Sequence, residues 1–259
     1  MNLEKGYPVN DHYKGATSNS RLLALVDHSE TYGPGAVFSF LQQCAVPETV
    51  LDLGAGSGRD LQLARRIHPD VKTYAVEWSP ENIATLGQSG AQVWQCDLET
   101  SELPFAPESL DIVIANQVLE HIKELFWVVH EVTRVLKIGG HFIVGVPNVA
   151  SLHNRVGLLF GKHPTQAKAC SAHLRIFSKQ DFLLFLEEGF PNGYTLEGFA
   201  GSQFYPFPMH VARVLACLIP TAAFSIFFLL RKNKPYSDSF ATYPVRAHLE
   251  TNFRACSAH

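Results

Sequence analysis

The stretch that most limits what this chain can fold into is Val50 to Leu61, VLDLGAGSGRDL. A short apolar run, Val50-Leu51-Asp52-Leu53, breaks into Gly54-Ala55-Gly56-Ser57-Gly58, and helical spacing follows with Leu61, Leu63, Ala64 and Ile67 on one face. A buried strand, a glycine turn and a helix in that order open a nucleotide-binding βαβ unit. Gly54 and Gly56 let the backbone turn tightly and approach a ligand closely.

The usual occupant of such a loop is a pyrophosphate, and Asp52 argues against one. Its carboxylate ends the strand just ahead of the glycines, where it repels phosphate and leaves the helix N-terminus alone to offset that repulsion. The spacing is G-x-G-x-G, not the G-x-G-x-x-G of a dinucleotide loop. An acid here suits a cofactor that carries an ammonium and no phosphate, and S-adenosylmethionine (SAM) is such a cofactor. At these residues the chain resembles the class I SAM-dependent methyltransferases, whose first motif is an acidic strand end followed by GxGxG. The resemblance implies that Asp52, Gly54, Ala55 and Gly56 hold SAM. A tight turn without a ligand is the bland reading of the motif. For the whole chain the alternatives are an NAD(P)-dependent oxidoreductase on a Rossmann sheet and a non-catalytic SAM-binding or partner-binding module.

The chain has 259 residues, 46% of them hydrophobic, enough to bury the core of one large α/β domain with additions. A formal net charge of −3 offers no basic excess, which disfavours a nucleic-acid partner. Cys44, Cys96, Cys170, Cys217 and Cys256 are scattered with no CxxC pair, which fits reduced thiols in a cytoplasmic protein and no structural zinc. The start, MNLEKGYPVN, has no apolar h-region and reads as no secretory signal.

Residues 1–20 are polar and turn-rich, an irregular arm. Residues 21–29 and 34–44 carry helical spacing, the second entered through Gly33-Pro34. Together 1–45 form an expected N-terminal helical arm, which the resemblance implies folds over the cofactor as a lid. Strands are expected at 49–53, 71–78, 91–96, 110–115 and 141–146. Helices are expected at 57–67, from Ser79-Pro80 onward, and at 123–136, the last with Leu125, Val128, Val129, Val132 and Val135 inward and Gly139-Gly140 as its stop. Strands and helices thus alternate through residue 146, which means a parallel, doubly wound sheet with its ligand beyond the carboxyl ends of the strands. Beyond it come short helices at 151–161 and 178–187, the latter capped by Ser178. Strands at 193–200 and 223–231 follow, with a helix at 209–218 between them. The expected fold is an α/β Rossmann-like, doubly wound seven-stranded sheet, mostly parallel with an antiparallel last strand and helices on both faces. The SAM-binding domain spans 46–232, with substrate-covering insertions around 150–178 and 201–222, and a polar, patternless tail at 233–259.

Glu77 ends the second strand, where a carboxylate can accept two hydrogen bonds from a ribose diol; a solvated charge is the plain alternative. Trp78 beside it can lie against an adenine face or sit in the core. Asp97 and Leu98 follow the third strand. The resemblance implies that Asp97 accepts from the adenine amino group and that the Leu98 amide lies near the ring, whereas Asp97 taken alone reads as a turn cap. Asn116 ends the fourth strand on the same ligand side. The pair Glu120-His121 narrows the resemblance to small-molecule methyltransferases of the type 11 group that includes ubiquinone-pathway O-methyltransferases. Some of those bind a divalent metal through an acid three residues before the Glu. Gln117 stands there in this chain, and an amide is a weaker ligand for a hard cation, so no metal is expected. His121 is a candidate general base, because an imidazole ordinarily titrates near neutrality. His173 is the second candidate. Glu120 and Arg175 are candidate substrate-binding residues, Arg175 to orient a carboxylate, with a loop ion pair as its plain alternative.

Val214 to Leu230 is the most apolar stretch and ends in Arg231-Lys232. Pro220, Thr221 and Ser225 interrupt it, and it falls short of the ~20 residues of a membrane span. A pocket-covering helix followed by a buried edge strand is the favoured reading, with membrane-surface association the less favoured one. The expected activity is methyl transfer from SAM to an O, N, S or C nucleophile of a small molecule.

Overall fold

A computed structural model describes residues 33–249 of the chain. The expected arm at 1–20, the helix at 21–29 and Cys256 lie outside the described residues. Seven strands form one sheet in the order β3-β2-β1-β4-β5-β7-β6. They are β1 (Thr49–Leu53), β2 (Lys72–Val76), β3 (Gln92–Trp94), β4 (Leu110–Asn116), β5 (Leu136–Pro147), β6 (Tyr194–Ser202) and β7 (Ser225–Lys232). The first five run parallel, and β7 pairs antiparallel with both β5 and β6. β7 is therefore an interior strand and β6 the edge, which corrects the expected placing of 223–231 at the edge. The run IFFLL at 226–230 is buried throughout because strands cover both its sides and helices both its faces.

Alternate residues of the central strands feed two cores. Leu51, Leu53, Val113, Ala115, Phe142 and Val144 face one side, where α4 (Leu125–Val135) and α6 (Lys179–Gly189) pack. Val50, Ala75, Ile112, Ile114 and Ile143 face the other, against α1 (Pro34–Gln43), α2 (Arg59–Ile67) and α3 (Pro80–Gln88). This is the doubly wound arrangement that the alternation of elements predicts. Val37, Phe40 and Leu41 of α1 are buried against the sheet, so 34–43 is part of the body, a correction to the lid expected over 1–45.

The elements after β5 are α5 (Leu152–Leu159), α6, β6, α7 (Met209–Leu218) and β7. Ser178 caps α6 as expected, its hydroxyl accepting from the Asp181 amide at 3.3 Å. The apolar 214–230 stretch divides into the end of α7, a 3-10 turn at Pro220–Ala222 and β7. Among the described residues no helix is long and apolar enough to cross a membrane.

Two further expectations are corrected. The helix expected to run to 136 and stop at Gly139-Gly140 ends at Val135; Leu136 is already extended, and the glycines lie in a register shift of β5 against β4. The expected polar tail holds α8 (Ser239–Arg246), whose Phe240 is wholly buried against α4 and α6. α4 buries His130, Glu131 and Thr133 as well as its apolar stripe, and each finds a polar partner, Thr133 through the Tyr194 hydroxyl at 2.9 Å. His130 Nδ1 lies 3.0 Å from the Tyr236 hydroxyl, and Glu131 accepts from Arg134 and from the Leu103 amide.

Candidate active site

The glycine loop leaves β1 at the point where the strand order reverses, between β2 and β4. Gly54 has φ 60, and a Cβ there would stand 2.8 Å from Val118 Cγ2, so glycine is required on both counts. Gly58, at φ 81, ends the loop and starts α2. Two cavities open on either side of this loop, and Gly54 lines both.

The first, about 340 Å³, is lined by Asp52, residues 54–57, Arg59, Asp60, Asn116 and Gln117. Asp52 is buried, and its carboxyl is held well above the usual range, first by burial and then by Asp60, with Glu77 adding to the effect and Arg59 opposing it. Asp60 is also buried. It accepts from Arg59 Nε at 2.8 Å and Nη2 at 3.1 Å, and from Asn116 Nδ2 at 2.7 Å. Gln117, at φ 59, lines the same cavity with its Nε2 buried and without a hydrogen-bond partner among the described residues. Two carboxylates, Asp52 and Asp60, beside one guanidinium make a cavity that favours a cation and repels phosphate. An ammonium placed there would let Asp52 ionise, and the Gln117 amide offers a donor to a ligand carboxylate. The methionine end of SAM carries both groups, so the residues fit it.

The second cavity, about 400 Å³, is lined by Gly54, Val76 to Trp78, Cys96 to Glu99, His121 and Ile122. Glu77 is buried and spends its carboxylate on the backbone: Oε2 accepts from the Gly56 amide at 2.7 Å, and Oε1 from the Trp78 and Ser79 amides at 2.8 Å each. It therefore ties the end of β2 to the glycine loop. The Ser79 side chain makes no capping bond to α3, although Ser79 and Pro80 stand at the expected positions. Trp78 is 68% exposed at the rim, which excludes the core alternative and leaves its ring available to a flat ligand. Asp97 accepts from the Glu99 amide at 2.9 Å and the Thr100 hydroxyl at 3.0 Å, so it caps the next turn while lining the cavity. Leu98 lines it too.

His121 borders this second cavity from the 3-10 turn Leu119–His121. The Glu120 carbonyl accepts from the Leu174 and Arg175 amides, at 2.7 and 3.0 Å, and this docks the 173–175 segment on the turn. The His121 and His173 rings meet edge-on, centroids 4.9 Å apart. His121 Nδ1 lies 3.1 Å from the Ala172 carbonyl, which can only accept, so Nδ1 carries the proton and Nε2 keeps its lone pair. Burial pushes the Glu120 carboxyl up to about 8, leaving it neutral at pH 7. Burial first and His121 second push His173 below the usual histidine range. Arg175 donates to the Lys123 carbonyl at 2.6 Å, which ties its loop to the residues after the 3-10 turn.

Glu120, His121 and His173 bring ligand atoms within 4.8 Å of one another, a set that can hold a divalent cation. Gln117 is not part of it; its left-handed backbone turns it into the other cavity.

Sequence reasoning places Asp52 and the loop here but misses Asp60, Arg59 and Gln117. Asp60 carries a weak signal: an acid in a first helical turn reads as an ordinary complement to the helix dipole.

Residues 51–144 match the family model described as a methyltransferase domain. The chain is 36% identical over 103 residues to an arsenite methyltransferase of Halobacterium salinarum, covering 38% of this chain and 26% of that one. It is 24% identical over 192 residues to a mitochondrial ubiquinone biosynthesis O-methyltransferase of Mus musculus, covering 71% of this chain and 49% of that one. The chain thus spans half or less of the length of these curated relatives. Among solved structures, one chain of the Haloferax volcanii complex between the Trm112 methyltransferase activator and a methyltransferase superposes with TM-score 0.58 at 16% identity, covering 85% of this chain and 97% of that one. The strand order, the acidic strand end with its glycine loop and the matched model agree: residues 51–144 form a methyltransferase domain, similar to that of the class I SAM-dependent methyltransferases.

Proposed function

We propose that this chain transfers a methyl group from SAM to a nucleophile on a small molecule. One observation carries the reading: Asp52 and Asp60 turn one side of the glycine loop into a cation site, and His121 borders the cavity on the other side. When bound, SAM supplies a methyl on a sulfonium whose departure leaves a neutral thioether, so the protein mainly aligns the reactants and excludes water. Asp52, Asp60 and Gln117 hold the methionine end. Trp78, Asp97 and Leu98 surround the adenine, and Glu77 holds the glycine loop in reach of the ribose. For a hydroxyl acceptor, His121 Nε2 takes the proton as the acceptor oxygen forms its bond to carbon, with Nδ1 steadied by the Ala172 carbonyl. His173 positions that imidazole from the side. Arg175 and neutral Glu120 border the acceptor space, under the insertions at 150–178 and 201–222.

The small-molecule acceptor is supported by the lack of a basic excess and by the names of the arsenite and ubiquinone-biosynthesis relatives. We place the enzyme in the cytoplasm on its scattered cysteines, four of which are free among the described residues. We read the reaction as metal-free, because Gln117 lines the other cavity, away from the histidines. Chelation with EDTA is then expected to leave turnover within about twofold, and a loss restored by a divalent cation would reverse that reading. An NAD(P) oxidoreductase is disfavoured by the carboxylates that crowd the loop. Calorimetry tests the choice: SAM is expected to bind and NAD to give no heat. Binding of NAD in preference to SAM would overturn the proposal, as would the absence of methylated product from labelled SAM across hydroxyl, amine and thiol acceptors.

A further inference from the structure

Charge is segregated along this chain. Although carboxylates outnumber Lys and Arg overall, residues 132–180 and 198–237 contain no Asp or Glu. Those two stretches hold both insertions, which carry Arg155, Lys162, Lys168, Arg175 and Arg213. The same segments expose large apolar side chains. At the end of α5, Leu159 is 83% exposed and Phe160 76%, with Val156 and Leu158 beside them. On α7, Ala212 and Ala216 face inward, while Val211, Val214 and Leu218 form the outward stripe, Leu218 at 71%. The two helices share a flank. Arg155 of α5 reaches the Thr221 carbonyl just after α7, and the His153 ring lies 5.4 Å from both Tyr205 and Phe224.

Apolar side chains standing in water beside cations, with no anion within either segment, match an interfacial lipid-binding surface. The cations would meet lipid phosphates, and Leu159, Phe160 and Leu218 would enter the acyl boundary. We infer that the α5–α7 flank docks this protein on an anionic lipid bilayer. The inference goes beyond methyl transfer, and its test needs neither SAM nor turnover.

The test is co-sedimentation of the full chain with phosphatidylcholine vesicles, with and without phosphatidylglycerol, at low and high salt. Binding is expected only with phosphatidylglycerol and is expected to weaken as salt rises. Phe160→Asp with Leu159→Asp is expected to lower the apparent lipid affinity at least tenfold with an unchanged melting temperature. Val46→Asp, at an 84% exposed site outside both insertions, is expected to leave binding unchanged. Failure to sediment with anionic vesicles would overturn the inference, as would equal binding to neutral ones. So would a size-exclusion shift from dimer to monomer in the double variant with no change in lipid binding, which would assign the flank to a second copy of the chain.

Discussion

Asp52 is buried beside a second carboxylate, a setting that a proton or a cationic ligand relieves. Its folded carboxyl is raised by burial and by Asp60, so it keeps its proton to a higher pH than the unfolded chain does. Its contribution to stability is therefore full below about pH 4 and declines as pH rises toward its folded value. Asp52→Asn is expected to flatten that decline and raise the melting temperature at pH 7, while weakening SAM at least tenfold by removing the partner of its ammonium. Denaturant titrations between pH 4 and 8, paired with calorimetry, check both halves. A variant that binds SAM as well as the wild type would remove Asp52 from the cofactor site.

The elements depend on polar ties that cross between strands. Asp111, in β4, accepts from the Glu48 and Thr49 amides and the Thr49 hydroxyl at 2.8–3.0 Å, and from Lys137 at 2.6 Å, pinning the entry of β1 to β4 and β5. Burial alone would raise its pKa, but Lys137, Thr49 and the Glu48 amide outweigh it, and the carboxyl lies below its usual range. With a folded pKa depressed, the tie acts above the unfolded value of about 4 and is lost as pH falls through the folded one. Asp111→Asn is expected to cost about 1–3 kcal/mol at pH 7 and almost nothing near pH 2. Acid and neutral denaturation curves of the two proteins would show the difference vanish.

At the scale of the molecule, α8 closes a core that the sheet and α4 leave open. Phe240 is fully buried in the cluster that includes Val132, Phe182 and Phe190. Phe240→Ala is expected to cost about 3–5 kcal/mol by leaving a cavity. A chain cut after Lys234 is expected to fare no better, because His130 would lose Tyr236 and the core would lose Phe240. Thermal melts of both check this; an unchanged melting temperature in the shortened chain would show α8 to be peripheral.

The sequence by itself determined the alternating βα architecture, the glycine loop and its charge preference. Those depend on local periodicity and on residues adjacent in the chain: the VLDLGAGSG run, the inward stripe of α4, the Ser178 cap. It could not show that α8 exists, because Pro235 and Pro244 break a short pattern whose stability comes from contact with α4 and α6. Nor could it show that β7 lies inside the sheet, since strand order is set by pairing between segments far apart. Only the tertiary structure brought Asp60 and Asn116 to Asp52, turned Gln117 away from Glu120, and folded 173–175 onto the turn that carries His121. A catalytic surface is assembled from the ends of separate strands, and which ends meet is decided by packing that no local stretch encodes.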